Sequence, residues 1–329
     1  MSTLRFHDHP LSDSSFLITG GAGFIGSNIA EYLVHAGAGK VRILDNLLTG
    51  NIQNIQKLVS EGKVEFIEGD IRDLETCMRA CSGIDYVTHQ AALGSVPRSI
   101  KDPLTTHAIN ASGFLNMLEA AKASKVKRFV FASSSSVYGD HPVLPKREAE
   151  TGNPLSPYAV SKKTNELYAA VYQRAYGLET IGLRYFNIYG PNQSPDGPYA
   201  AVIPLFLKAA IEKTAPMIDG DGEQTRDFTY VENAVQANIR SFFTQTAGAT
   251  GQIYNVAVGE NITINQLYEL IASLAGSETK AIHRPSREGD IRDSLADISK
   301  AKQLLGYSPT VRAKDGLRMT FEWFSNQKS

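Results

Sequence analysis

Tyr158 and Lys162 stand four residues apart in the stretch Ser156-Pro157-Tyr158-Ala159-Val160-Ser161-Lys162. On a helix, that spacing puts both side chains on one face, one turn apart. A free phenol, with a pKa near ~10, is a poor base at neutral pH. An ammonium one turn away favours the phenolate and lowers that value. The pair therefore reads as a proton acceptor for a sugar or alcohol hydroxyl. The motif alone arises by chance in many helices, so its weight depends on what surrounds it.

The element that must carry the pair is well marked. Ser156 is a good N-cap and Pro157 a good first helical residue. Leu167, Ala170, Val171 and Ala175 continue an apolar face, and Gly177 stops it. A helix over 157–176 is expected.

Upstream, Phe16-Leu17-Ile18-Thr19 reads as a buried strand that runs into Gly20-Gly21-Ala22-Gly23-Phe24-Ile25-Gly26 and then a helix over 24–36. Glycines suit a backbone that turns tightly beside a pyrophosphate, and a helix N-terminus supplies N–H groups for the anion. A second strand, Val41–Leu44, ends in Asp45, nineteen residues beyond Gly26. A carboxylate there accepts the ribose hydroxyls of adenosine and repels a 2′-phosphate, which favours NAD over NADP.

Further strands are expected at Val64–Ile67, Tyr86–Ala92, Arg128–Ala132 and Thr180–Asn187, with helices over 105–122 and 157–176 between them. Asp70 is placed to meet the adenine amino group, with Ile71 packing on the ring. This alternation predicts right-handed βαβ units: an α/β, Rossmann-type, doubly wound parallel sheet. The Gly20 turn, Asp45, Asp70, Gln90, the run Ser133–Ser136 and Asn187 all fall at strand ends, where ligands of such sheets sit. Beyond Gly190 comes a turn-rich connection, then helices at Ala200–Ile211 and Thr263–Ala275 and a strand at Tyr254–Ala257. The expected division is a dinucleotide domain over 1–190, receiving part of 228–258, and a smaller α/β substrate domain over 191–329.

The chain has 329 residues, a net charge of −1, 20% charged and 42% apolar residues. No block of like charge suggests nucleic acid or a membrane surface. No apolar run approaches the ~20 residues of a membrane span. Residues 1–15 lack the apolar core of a signal peptide, so a cytoplasmic protein is expected. Cys77 and Cys81 are the two cysteines, and no metal site is expected.

Together, the Thr19–Gly26 turn, the Ser134…Tyr158-x-x-x-Lys162 set and Leu183–Gly190 resemble the extended short-chain dehydrogenase/reductase family. His89–Ser99, Ser133–Pro142 and Arg287–Arg292 are similar to its bacterial UDP-N-acetylglucosamine 4-epimerases of the O-antigen and capsule type. The resemblance implies a tightly held NAD and a UDP-sugar substrate. Tyr158, Lys162 and Ser134 would be catalytic. Gly20, Gly23, Phe24, Ile25, Gly26, Asp45, Asn46, Gly50, Asp70, Ile71, Gln90, Ala91, Ala92 and Tyr185 would hold the cofactor beside Tyr158 and Lys162. Gly94, Ser95, Ser135, Ser136, Asn187, Ala201, Val202, Arg226, Arg287, Asp290 and Ser294 would contact the substrate. Helices 105–122 and 157–176 would form a homodimer seam, though burial within one subunit explains their apolar faces nearly as well.

Ser294 bears on substrate size. Galactose-restricted relatives tend to carry a tyrosine there, and a small residue leaves room for a 2-acetamido group. A 4-epimerase of UDP-N-acetylglucosaminuronate, or of UDP-glucose, remains the alternative. A 4,6-dehydratase would carry an Asp-Glu pair where Ser135 and Ser136 stand, and a decarboxylase of UDP-glucuronate is nearer. A non-catalytic dinucleotide sensor is disfavoured, because Ser134, Tyr158 and Lys162 are all present.

Overall fold

The computed structural model describes residues 5–196, 200–286 and 292–327. Its centre is a seven-stranded sheet in which every pairing is parallel. The strands are β1 (Ser15–Thr19), β2 (Lys40–Asp45), β3 (Glu65–Glu68), β4 (Tyr86–His89), β5 (Arg128–Ser134), β6 (Thr180–Tyr185) and a seventh, Gln252–Val256. Their spatial order is seventh, β6, β5, β4, β1, β2, β3. The direction of winding reverses at β1, so a crevice opens between β1 and β4 at their carboxyl ends.

Strand alternation builds two cores. Phe16, Ile18, Val41 and Ile43 pack on one face with Ile29 and Leu33 of helix α1 (Phe24–His35) and Val235 and Ile239 of helix Val231–Phe243. Leu17, Leu44, Val87 and Phe129 face the other way, onto helices Leu74–Cys81, Gly113–Ala123 and Pro157–Tyr176. Cys77 and Cys81 are buried free thiols in that second core. A third core joins helices Val202–Glu212, Ile264–Ala275 and Ala313–Asn326 beyond the strand ends.

Among the boundaries that differ from expectation, three bear on the strand-end crevice. β4 stops at His89 and β6 at Tyr185, short of Ala92 and Asn187. Asn187 has φ +39, a left-handed conformation that takes it off the strand, and Ile188–Tyr189 then pairs with Thr229–Tyr230. The helix expected over 105–122 starts at Pro103 and contains a π turn over Ala108–Ser112. Among the described residues, no helix is long and apolar enough to cross a membrane, and no cluster could hold a metal ion.

Candidate active site

A cavity of about 710 Å³ occupies the crevice at the strand ends. Its floor is the glycine turn. Gly20 has φ +68, and a Cβ there would come within 2.7 Å of the Ala91 nitrogen. A Cβ on Gly26 would lie 2.3 Å from the Gly20 carbonyl oxygen. No other residue fits those two places. No side chain caps α1, which leaves its first N–H groups for an anionic ligand.

At one end, Asp45 accepts from the N–H groups of Ala22 at 3.0 Å and Leu47 at 2.8 Å. Burial raises its pKa, and those two hydrogen bonds oppose the rise. Gly50 abuts it: a Cβ there would meet both carboxylate oxygens at 3.0 Å. Asn46 donates to Asp70, whose carboxyl is held down to about 2 mainly by its hydrogen bond from Arg72. Gly69 and Ile71 line the cavity on either side of Asp70. This end fits the adenosine of a dinucleotide, and the glycine floor fits its pyrophosphate.

Ser134, Tyr158 and Lys162 line the other end with Gln90, Ala91, Ala92 and Tyr185. The Ser156 side chain caps its helix by accepting from the Ala159 N–H at 3.2 Å, with Pro157 in the first turn. Lys162 is 2% exposed and its Nζ donates to the Ala132 carbonyl at 2.8 Å, 5.9 Å from the Tyr158 ring centre. Burial lowers the Lys162 pKa to about 8. The expected acidity of Tyr158 is corrected here. In the protein alone burial outweighs every other influence and raises its pKa, and only hydrogen bonding with Ser134 opposes this.

A buried network holds this wall. Asn238 donates to the Tyr185 hydroxyl at 2.7 Å and accepts from Thr88 at 2.8 Å and Gln90 at 3.2 Å. The Tyr185 hydroxyl donates to Gln90 at 3.2 Å. Asn110, inside the π turn, accepts from the Leu93 N–H at 2.8 Å and donates to Ser161 at 3.1 Å. It thereby ties helix Pro157–Tyr176 to the Gly94–Ser95 loop. Asn238, Thr88 and Asn110 were not expected from the sequence. The π turn is a recurrent mark of functional positions, but no sequence pattern reveals it.

The substrate-side residues divide. Gly94, Ser95, Asn187 and Ala201 line the main cavity. Val202 and Arg226 line a second cavity of about 440 Å³, which shares Asn187 and Ala200 with the first. Arg226 donates to the carbonyls of Thr225 at 2.8 Å and Arg292 at 2.9 Å. Ser294 lines neither cavity; its N–H donates to the Thr225 carbonyl at 3.2 Å, beside Arg226. Ser135 and Ser136 do not line the main cavity either, and Ser136 Oγ is buried with no hydrogen-bond partner among the described residues. Arg287 and Asp290 lie outside the described residues. The cavity also brings in Arg98, Gln193, Ser194 and Asp196, which were not expected.

A parallel sheet with a glycine-rich dinucleotide cradle and a Ser…Tyr-x-x-x-Lys wall defines an extended short-chain dehydrogenase/reductase. Comparison with known proteins agrees: a family model described as GDP-mannose 4,6 dehydratase matches residues 17–320. UDP-glucose 4-epimerase of Mycolicibacterium smegmatis is 36% identical over 313 residues, covering 94% of this chain and 98% of that relative. A UDP-N-acetylglucosamine 4-epimerase from Methanobrevibacter ruminantium M1, solved in complex with UDP-N-acetylmuramic acid, is 40% identical with a TM-score of 0.90, covering 96% of this chain and 99% of that one. UDP-glucose 4-epimerase of Thermus thermophilus, solved in complex with NAD, is 35% identical with a TM-score of 0.85, covering 94% of this chain and 99% of that one. The chain belongs to the extended short-chain dehydrogenase/reductase family and is an enzyme whose relatives include UDP-sugar 4-epimerases.

Proposed function

We propose that this protein is an NAD-dependent 4-epimerase that interconverts UDP-N-acetylglucosamine and UDP-N-acetylgalactosamine through a 4-keto sugar. The observation that carries this reading is the composition of the catalytic wall. Ser134, Tyr158 and Lys162 line the dinucleotide cavity, whose described lining carboxylates are Asp45 and Asp196. Asp45 lies at the adenosine end, and the dehydratase carboxylate pair is replaced by Ser135 and Ser136.

NAD held by the glycine turn and Asp45 would supply a reversible acceptor for the C4 hydride beside Tyr158 and Lys162. Tyr158, as phenolate, takes the proton of the C4 hydroxyl and returns one to the C4 oxygen after the sugar has turned. Ser134 donates a hydrogen bond to that oxygen. Lys162 supplies a positive charge that favours the phenolate against the cost of its burial. The sugar must turn while its nucleotide stays put, so the grip belongs on the diphosphate and uridine. Asn187 and Arg226, which border the second cavity, fit that role, and the resemblance assigns Arg287 and Asp290 to it as well.

Gly94, Ser95 and Ser294 are small, which suits a 2-acetamido group. A second reading, a 4-epimerase of the matching uronate, draws support from Arg98 in the wall of the same cavity. Incubating the purified protein with UDP-N-acetylglucosamine, UDP-glucose and UDP-N-acetylglucosaminuronate in parallel, without added NAD, discriminates among these. The proposal expects the acetylated neutral sugar to be turned over fastest; no epimer from any of the three would sink it.

The active unit in this proposal is a homodimer in the cytoplasm. Ile100, Leu104, Val160, Leu167, Tyr168 and Val171 are exposed on helices Val96–Lys101, Pro103–His107 and Pro157–Tyr176, with Leu104 83% exposed. An apolar surface of this kind suits a second copy of the chain.

A further inference from the structure

We propose that Asp227 is a positioning residue for the nucleotide-sugar grip, an inference that rests on the function proposed above. Its side chain touches neither main cavity, yet it is completely buried between Arg226 and Phe228, both of which line the second one. One carboxylate oxygen accepts from the Val258 N–H at 3.0 Å. The other accepts from the N–H groups of Gly259 at 3.1 Å and Ala296 at 3.3 Å. Its own carbonyl accepts from Asn187 Nδ2 at 3.1 Å.

These four bonds join every described part of the grip. Asn187 is held directly. Arg226 is the chain neighbour. Val258 and Gly259 follow the seventh strand and tie the grip to the central sheet. Ala296 is two residues from Ser294, on a segment whose N–H at Ser294 pairs with Thr225. The far side of that segment is pinned by Lys146, whose N–H donates to the Leu295 carbonyl at 2.8 Å. Backbone N–H groups from two separate segments thus converge on one buried anion, which sets where Ser294 lies relative to Arg226.

A carboxylate suits this task because it accepts from several donors at once. A protonated acid or an amide turns a donor toward N–H groups that have no acceptor to offer. Burial raises the Asp227 pKa to about 6, against the three N–H groups that lower it. Among the described residues, the Glu260 carboxylate disfavours its charge, and its charge in turn disfavours ionisation of the buried Tyr307 hydroxyl. Arg226 is turned to the Thr225 and Arg292 carbonyls.

The test uses the full chain carrying Tyr158→Phe, so that bound sugar is not turned over, with and without Asp227→Asn. Affinity for UDP-N-acetylglucosamine is measured by titration calorimetry, and NAD retained per chain is measured alongside. Asp227→Asn is expected to weaken sugar binding at least about tenfold and leave retained NAD unchanged. With Asp227 present, affinity should fall as pH drops from about 7.5 to about 5.5, and with asparagine it should stay level. Equal affinities for the two chains overturn the proposal, as does joint loss of sugar and NAD, which would mark a general structural role. Should Asp227→Asn not fold, the pH series on the Asp227 chain decides alone, and a level affinity overturns it. No binding by the chain that retains Asp227, at any pH, contradicts the functional reading itself and this inference with it.

Discussion

Arg184 and Glu166 form a buried ion pair through two hydrogen bonds, each 2.8 Å long. Glu166 lies one turn beyond Lys162 on helix Pro157–Tyr176, and Arg184 lies near the end of β6. Glu166 also accepts from Ser133 Oγ at 2.7 Å, next to Ser134 on β5. One carboxylate therefore fixes helix Pro157–Tyr176 against two strand ends, and so fixes Tyr158 relative to Ser134.

Removing Arg184 leaves the buried Glu166 carboxylate with only the longer contact to Lys163, at 3.7 Å, among its described ion pairs. Arg184→Leu should lower stability by about 3–5 kcal/mol in chemical denaturation. Adding Glu166→Gln to the same chain should recover part of that loss, because the amide is neutral and can still accept from Ser133. If the two substitutions simply add, the pair is not coupled.

Lys162 exerts the opposite influence on the fold. Burial lowers its pKa from 10.5 to about 8. Below about pH 8 both folded and unfolded states carry the charge, and the full cost of burying it is present. That cost is relieved as pH rises from about 8 to 10.5, where only the unfolded chain stays protonated. Lys162→Met should therefore be about 2 kcal/mol more stable at pH 7 while losing turnover, and the gap should narrow above pH 8. A Met variant less stable at neutral pH would show that the Ala132 hydrogen bond outweighs the burial cost.

Ser294 lines neither cavity but is bonded through its N–H to the Thr225 carbonyl, next to Arg226, and the proposed function makes its small size the room for a 2-acetamido group. Ser294→Tyr should cut kcat/KM for UDP-N-acetylglucosamine by about tenfold or more and spare UDP-glucose. Both substrates can be assayed by chromatographic separation of the epimers. Equal effects on the two would remove Ser294 from specificity.

Leu167 is 61% exposed at the centre of helix Pro157–Tyr176. Leu167→Glu should convert a dimer to a monomer in light scattering behind size exclusion, since an isolated carboxylate in an apolar seam has no partner. A monomeric parent protein would contradict the dimer.

The parts legible in the sequence are those with short-range signatures. The glycine turn, Asp45 at a fixed distance beyond it, and Tyr158 with Lys162 on a capped helix all lie within stretches of a few tens of residues. The supports do not. Arg184 with Glu166, Asn110 with Leu93, Asn238 with Tyr185, and Asp227 with Ala296 meet only after the sheet has formed. Each is an ordinary polar residue in its own neighbourhood. The spacing of Tyr158 and Lys162 reveals a charge one turn away, but not the loss of water around the phenol, which reverses the direction of its shift. The strand expected to reach Asn187 stops short of it, because nothing in Tyr-Phe-Asn announces a left-handed residue.

The proposed epimerisation requires that a hydride leave C4 and return to the same carbon without exchanging with water or with added cofactor. The most direct measurement supplies UDP-N-acetylglucosamine deuterated at C4 to the purified protein, with no NAD added, and follows the product by mass and NMR. The account predicts UDP-N-acetylgalactosamine that keeps its deuterium at C4. An epimer carrying solvent hydrogen at C4, or turnover that begins only when NAD is supplied in stoichiometric amounts, would contradict it.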